Sequence, residues 1–277
     1  MIELRQLLNF HFPSHPIMAA HEGMPSLPNF VELFKHKFGH HYWYDYIIFW
    51  EDIIVSILIA IVFSLIFYWG SRKKELIPTG LQNFLELLVE SIQKLVYGIL
   101  GPEGKEHFPF LATLFVYILT MNLFGLLPLM NSPSSNLNIT IAMALCVFVR
   151  VQYLNFRNMG WKGYLFHMAG SPKDLLGWVM VPLMFPIEIL TQLSRPITLA
   201  LRLFGNMMGE HILISIFAVF GMALLFFIDI PLGVPLQTPF MLFGLLMSLM
   251  QALVFTLLST VYILLSEPHH EENSVHD

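Results

Sequence analysis

Charged side chains are scarce in this sequence of 277 residues, in which 12% are Asp, Glu, Lys or Arg and 56% are hydrophobic. A soluble domain usually carries about 25% charged residues. The shortage excludes an ordinary water-soluble domain, because too little polar surface is left to face water. The mean hydropathy of +0.67 points the same way. Several apolar runs reach about 20 residues, which is the length of helix that spans a bilayer. The sequence therefore predicts an all-α polytopic membrane protein.

Other features are absent as well. The single cysteine, Cys146, lies in an apolar run, which excludes an intrachain disulfide and predicts a buried thiol. The first 30 residues lack a basic start followed by an apolar core, so no cleaved signal peptide is expected. The net charge of -5 gives no reason to expect a nucleic-acid partner. No Gly-rich phosphate loop ending in Lys-Ser or Lys-Thr is present, so ATP chemistry is not expected in this chain.

No cofactor and no bound metal are expected either. The spacing of His36, His40 and His41 would allow a metal to bind on a helix, but a solvated, aromatic-rich surface segment is the favoured interpretation. A membrane cytochrome needs axial ligands within its spans, usually in pairs. Only His211 lies inside an apolar stretch. The histidine content is therefore better explained by surface segments than by a haem site.

The apolar runs divide the chain into an external segment at 1–45, a single membrane domain at 46–266 and a cytoplasmic tail at 267–277. Five membrane crossings are predicted, at 46–68, 108–130, 137–154, 178–228 and 240–265, with polar loops between them at 156–176 and elsewhere. Residues 80–101 place apolar residues at helical spacing among charged ones, which predicts an amphipathic helix on the membrane surface. The last two crossings are interpreted as long, tilted helices that form a hairpin, with a broken helix as the alternative.

Basic residues set the orientation. The segments 71–107 and 156–176 together hold eight Lys or Arg residues, whereas the segments on the other side hold three. Because basic loops stay in the cytoplasm, the N-terminus is predicted to lie outside and the C-terminus inside.

Polar residues in the stretch 186–211 line up on one helix face. At about 100° per residue, five of them fall within about 40° of Arg202. These five are Glu188, Thr191, Arg195, Thr198 and Asn206. Glu210 lies at about 80°, and His211 points to the far side. A guanidinium is a permanent charge, whereas Glu and His can relay protons. Since ionisable groups inside a bilayer usually mark a pathway, the stripe predicts gated proton transfer, with the partner carboxylate supplied by another chain.

The motifs LRLFGNM at 201–207, SRP at 194–196, MQA at 250–252 and MNL at 121–123 resemble subunit a of bacterial F-type rotary ATP synthases. The resemblance covers about residues 45–267. It implies a proton-conducting, non-catalytic stator subunit with two half-channels, in the bacterial plasma (inner) membrane. The implied partners are a ring of c subunits that each carry a membrane carboxylate, the peripheral-stalk b subunits, other ATP synthase subunits and the lipid bilayer. A secondary ion transporter with a broken-helix midplane site is the alternative.

The resemblance also implies roles for single residues. Arg202 is the essential arginine, and Asn206 and Gln251 are its polar neighbours. The cytoplasmic outlet is formed by Glu188, Thr191, Ser194 and Thr198. The inlet is formed by Asp52, Asn122, Glu210 and His211, although Asp52 is equally compatible with an ordinary interfacial acid.

One departure from the family pattern concerns the inlet. Many bacterial relatives carry an acid nine residues after the arginine and a histidine seven residues before the glutamine. Here those positions hold His211 and Gly244, and the acid, Glu210, comes one residue earlier. Which of Glu210 and His211 relays the proton is left open by the residues. The working hypothesis is that Glu210 is the main relay and that His211 tunes it.

Overall fold

A computed structural model describes residues 42–72, 80–127, 130, 132–170, 175–226 and 236–267. Over these residues the chain is helical, and five segments are long and apolar enough to cross a membrane, as predicted. The helices are α1 (Tyr42–Arg72), α2 (Leu81–Leu100), α3 (Gly104–Phe124), α4 (Leu137–Met168), α5 (Leu175–Phe226) and α6 (Thr238–Ser266), with short 3-10 turns at Gly101–Glu103 and Pro133–Ser135. Residues 1–41 lie outside the described residues. They make up most of the predicted external segment 1–45 and include His36, His40 and His41. The tail beyond Glu267 also lies outside the described residues.

The predicted amphipathic helix is α2. Its buried residues, Leu85, Ile92, Val96 and Leu100, recur at helical spacing and therefore form one face. The helix ends at Gly101, whose φ of 61° is a left-handed conformation that glycine adopts without a steric penalty. The chain then turns into α3, so the continuous apolar segment Leu81–Phe124 consists of an amphipathic helix followed by a span.

Two predicted boundaries are wrong. The predicted span 108–130 corresponds to α3, which ends at Phe124, where the Gly125 N–H donates to the Asn122 carbonyl. The predicted polar loop after residue 154 is helical as far as Met168, because α4 consists of two helical segments joined by a kink at Gly160 (φ 67°, ψ 168°). Only glycine adopts that backbone conformation readily, so this one residue interrupts the helical geometry and changes the direction of the chain between the two segments.

The long stretch predicted to form one helix does so. α5 runs without a break from Leu175 to Phe226, past Pro182, Pro186 and Pro196. At about 1.5 Å per residue its 52 residues extend for roughly 78 Å, far more than the hydrocarbon thickness, so the helix must either tilt or extend beyond the hydrocarbon core. α5 packs against α4 and α6. The alternative of a broken helix is therefore wrong for this stretch.

The helices meet in one main core with α3 at its centre. Leu111 and Ile118 of α3, Leu203 of α5 and Phe255 of α6 are completely buried there. In a bilayer such helices associate through close packing, because lipid tails are as apolar as the side chains themselves. The packing fixes how each helix is rotated about its axis, and hence which polar residues face outward.

The predicted burial of Cys146 is wrong, since its side chain is exposed on the described chain. The physical reason is general: an apolar run in a membrane protein faces lipid as readily as it faces the core. Large apolar side chains on α1, such as Ile57 and Trp69, are exposed for the same reason.

Candidate functional site

Arg202 lies near the middle of the apolar segment Val179–Gly221 of α5, with its side chain exposed. Its neighbours Leu199, Leu203 and Met207 are at most 2% exposed and form the face of α5 that packs on the core. This packing turns Arg202 outward. Within the described part of the chain, no acidic side chain forms an ion pair with it. The guanidinium is therefore presented to whatever covers this surface in the membrane.

The predicted outlet residues lie on the half of α5 that precedes Arg202. Thr191, Ser194 and Thr198 are exposed, and each hydroxyl donates to a carbonyl of its own helix. Glu188 is half-buried, and its Oε1 accepts a hydrogen bond of 3.0 Å from Gln192. Because their own helix supplies their hydrogen-bond partners, these side chains form an outward polar stripe that needs no partner within the chain.

The side chain of Arg195 is not part of this stripe, because it points toward α6. Its guanidinium carbon lies 5.4 Å from the ring centre of Tyr262, a cation–π contact. Gln192 lies beside it, and together these three residues line part of a cavity of about 10 Å³ between α4, α5 and α6. The volume of this space is about that of one water molecule.

Asn206 and Gln251 form the direct polar link between α5 and α6. The Asn206 Nδ2 donates to the Gln251 Oε1 at 2.5 Å. Gln251 is only 3% exposed, whereas Asn206 is half-buried. The Gln251 Nε2 is buried and has no hydrogen-bond partner among the described residues. The bond therefore joins Asn206, which lies one helical turn after Arg202 on α5, to a buried amide on α6.

Around the 3-10 turn Pro133–Ser135 lie three of the four predicted inlet residues, namely Asp52, Asn122 and His211. The Asn136 Nδ2 donates to the Asp52 carboxylate at 2.7 Å, which joins α1 to this turn. The Ser134 hydroxyl donates to the Asn122 Oδ1 at 2.7 Å, which joins α3 to it. Asn122 and Ser134 are at most 1% exposed. Residues from α1 and α3 are thus gathered around one buried polar turn.

His211 reaches the same turn from α5. The Ser132 N–H donates to the His211 Nε2 at 3.4 Å, a long contact in which this ring nitrogen is the acceptor. The Ser132 hydroxyl in turn lies 2.5 Å from the Ser134 hydroxyl and 2.9 Å from the Met121 carbonyl. A chain of polar contacts therefore connects Asn122 to His211 through two serines.

Glu210 faces a different neighbour from His211. Its side chain is half-buried and lies against the backbone of Gly244 on α6. Its Oε2 is buried without a hydrogen-bond partner in the described residues. The two consecutive residues are thus separated, with the acid at α6 and the imidazole at the turn after α3.

Sequence reasoning missed Ser132, Ser134 and Asn136, which connect the inlet residues to one another. The only sequence signal was the polar run SPSSN at 132–136 between two spans. A short polar turn is expected there in any case, so the run alone does not predict burial. Ser132 and Ser134 are nevertheless 0% exposed.

A second polar cluster lies at the other end of α6. The His107 Nε2 bonds the Glu267 Oε1 at 2.7 Å, and Arg150 donates to the His107 Nδ1 at 3.4 Å. Since Nδ1 accepts, Nε2 carries the hydrogen and donates to the carboxylate. Burial raises the pKa of the Glu267 carboxyl above its ordinary value, Glu103 adds to this effect, and His107 partly opposes it. The cluster ties the end of α6 to α3 and α4, well away from Arg202 along the chain.

Comparison with known proteins gives one family. The family model for the ATP synthase A chain matches residues 53–264. ATP synthase subunit a of Protochlamydia amoebophila is 58% identical over 243 residues, which cover 88% of this chain and 90% of the relative. The proteins of the same name from Geobacter sulfurreducens and Trichlorobacter lovleyi are 42% and 41% identical and cover 76% and 75% of this chain, and 82% and 81% of their own lengths. The chain therefore belongs to the family of subunit a of bacterial F-type ATP synthases, in which it is a multi-pass membrane subunit that works with the other ATP synthase subunits.

Proposed function

We propose that this chain conducts protons between the two sides of the membrane and uses Arg202 to couple their flow to a rotating ring of c subunits. The observation that carries the proposal is the exposed Arg202 within a membrane-spanning segment, flanked by the apolar residues Ile197 and Leu201, which are 55% and 53% exposed. An arginine at mid-bilayer costs about 2.5–3.5 kcal/mol on insertion scales. A partner that brings a carboxylate to this face would remove that cost.

The charge on Arg202 determines what the partner carboxylate does. At about 4 Å and an effective dielectric constant near 20, two opposite unit charges attract by about 4 kcal/mol. That energy lowers the pKa of the approaching carboxyl by about three units, so the carboxyl releases its proton. The guanidinium itself keeps its protons at any working pH. A protonated carboxyl therefore cannot pass Arg202 without first discharging its proton.

Protons consequently need one route to the ring and another route away from it. The inlet cluster around Glu210 and His211 lies on one side of Arg202 along α5, and the outlet stripe of Thr191, Ser194 and Thr198 lies on the other. Glu210 and Ser194 are each about 12 Å from Arg202 along the helix axis, at 1.5 Å per residue. This separation supports two offset half-channels, with Asp52 and Asn122 at the outer inlet and Glu188 at the outlet.

The basic segments at 71–107 and 156–176 support an N-terminus outside and a C-terminus inside the bacterial plasma membrane. In this arrangement the chain carries out no ATP chemistry itself. It serves as the stationary partner of the c-ring, held by the b subunits of the peripheral stalk.

The decisive experiment replaces Arg202 in the assembled complex. Arg202→Ala is expected to abolish ATP-driven proton pumping in inverted membrane vesicles, while passive proton conduction through the membrane sector remains. Arg157→Ala serves as the control, because Arg157 forms an exposed ion pair with Glu106 that joins α4 to α3 and involves no residue of α5. Pumping by Arg202→Ala at the parental rate would refute the proposal. Ion transport by the chain alone in liposomes, without a ring, would instead favour a secondary transporter.

A further inference from the structure

α5 and α6 approach each other closely at Gly244, which is buried in the interior of α6. A methyl group built on this glycine would overlap the Glu210 Oε1, and it would lie 2.8 Å from the Glu210 Cδ and 2.9 Å from the Leu126 Cδ2. Ordinary contacts of a methyl group begin at about 3.4 Å. The carboxyl of Glu210 thus occupies the space that a side chain at position 244 would fill.

The backbone gives no other reason for glycine at this position. Gly244 lies within an uninterrupted helix and is absent from the glycines with a positive φ, which are Gly80, Gly101, Gly160 and Gly170. Glycine in a helix interior is about 1 kcal/mol less favourable than alanine. Helix propensity therefore argues against glycine here, and the space taken by Glu210 argues for it.

The neighbouring residue, His211, cannot fill this space. A methyl group built on Gly125 would lie 3.0 Å from the His211 Nε2, so the imidazole occupies a separate site beside the turn after α3. Consecutive side chains on a helix point about 100° apart, so each needs its own neighbour. The carboxyl of Glu210 thus lies against a glycine of α6, and the imidazole of His211 lies near a different glycine at the end of α3.

We infer that Gly244 is a positioning residue that holds the carboxyl of Glu210 in a defined seat between α5 and α6, on the route that protons take toward Arg202. The inference rests on the proposed function and deepens it, because it assigns the placement of the relay to a residue that carries no proton. With the seat open, the carboxyl lies against the Gly244 backbone. With the seat filled, the carboxyl must adopt another rotamer.

The test is passive proton conduction through the assembled membrane sector, compared between three variants. Gly244→Ala is expected to lower conduction about tenfold or more, since displacing a reacting group by about 1 Å has effects of up to about 100-fold. Gly244→Ala combined with Glu210→Asp is expected to recover a large part of that loss, because the shorter acid withdraws its carboxyl by about one carbon–carbon bond, or about 1.5 Å. Gly98→Ala is the matched control, since a methyl group on this glycine of α2 would meet nothing within 4 Å.

Each outcome is decisive. Recovery in the double variant, with Gly98→Ala at the parental rate, supports the seat, because a helix that merely misfolds or a clash with Leu126 would not be repaired by shortening residue 210. Parental conduction in Gly244→Ala, or a double variant no better than it at equal chain content in the membrane, overturns the inference. Glu210→Gln separates the two proposals: if it conducts normally, the role of Glu210 in the proposed function fails, and if it blocks conduction while Gly244→Ala does not, only the seat fails.

Discussion

The hydrogen bond between Asn206 and Gln251 is expected to be required for tight coupling at Arg202. Replacing Asn206 by leucine keeps a side chain of similar size and removes the donor. The Gln251 Oε1 is then left in a site where this residue is 3% exposed, and its Nε2 already lacks a partner in the described residues. Among the residues that the structure describes, no other group donates to the Gln251 Oε1.

The magnitude follows from the burial of the acceptor. Leaving a buried hydrogen-bonding group unsatisfied costs about 1–3 kcal/mol in soluble proteins. Hydrogen bonds between membrane helices contribute about 0.6 kcal/mol on average and up to about 1.7. A loss of about 1–2 kcal/mol is therefore expected, and this corresponds to a factor of about 5–30 in the population of the correctly packed helix pair.

The assay is a double-mutant cycle on ATP-driven proton pumping, with rates normalised to the amount of chain in the membrane. Asn206→Leu, Gln251→Leu and the double variant are compared with the parent. If the two amides act through each other, the double variant is no worse than the more severe single variant. If the effects of the two single variants add up to the effect of the double variant within about 0.3 kcal/mol, the reasoning is refuted, since independent sites behave in that way.

Two further predictions concern the cytoplasm-facing part of the predicted topology. A raised pKa of Glu267 means that the folded state binds the carboxyl proton more tightly than the unfolded state does. The protonated carboxyl therefore contributes its full stabilisation below the ordinary pKa of 4.5, and this contribution is lost as the pH rises above that value. Glu267→Gln, which can still pair with His107, is therefore expected to show a smaller fall in Tm between about pH 5 and about pH 8 than the parent, and an equal fall in both would contradict this. Gly160→Ala is expected to destabilise the chain by about 1–3 kcal/mol, measured as a lower Tm, because alanine is strained at a φ of 67°. Gly163→Ala in the same helix meets only an ordinary contact of 3.4 Å and should leave Tm unchanged, so equal shifts in the two variants would exclude backbone strain as the cause.

The inlet shows where prediction from sequence ended. Asp52 and Asn122 could be proposed on the resemblance, and Glu210 and His211 on their position after Arg202. Ser132 and Ser134, which connect Asn122 to His211, could not be proposed, because a polar turn between two spans is expected to be exposed to water. Their burial depends on α1, α3 and α5 meeting around the turn, and the hydrogen bond between Asp52 and Asn136 joins residues 84 positions apart.

Hydropathy and helical period are local properties that can be read from the sequence. By themselves they determined that the chain is helical and that it crosses the membrane five times. They also determined that α2 is amphipathic and that one polar stripe includes Arg202. Which apolar residues face lipid and which face the core was decided by tertiary structure alone, as the exposed Cys146 shows. The reason is that a bilayer is as apolar as a protein interior, so burial leaves no trace in the hydropathy of a span. The separation of Glu210 from His211 has the same origin, since only the packing of α5 against α6 and against the turn after α3 gives each side chain its neighbour.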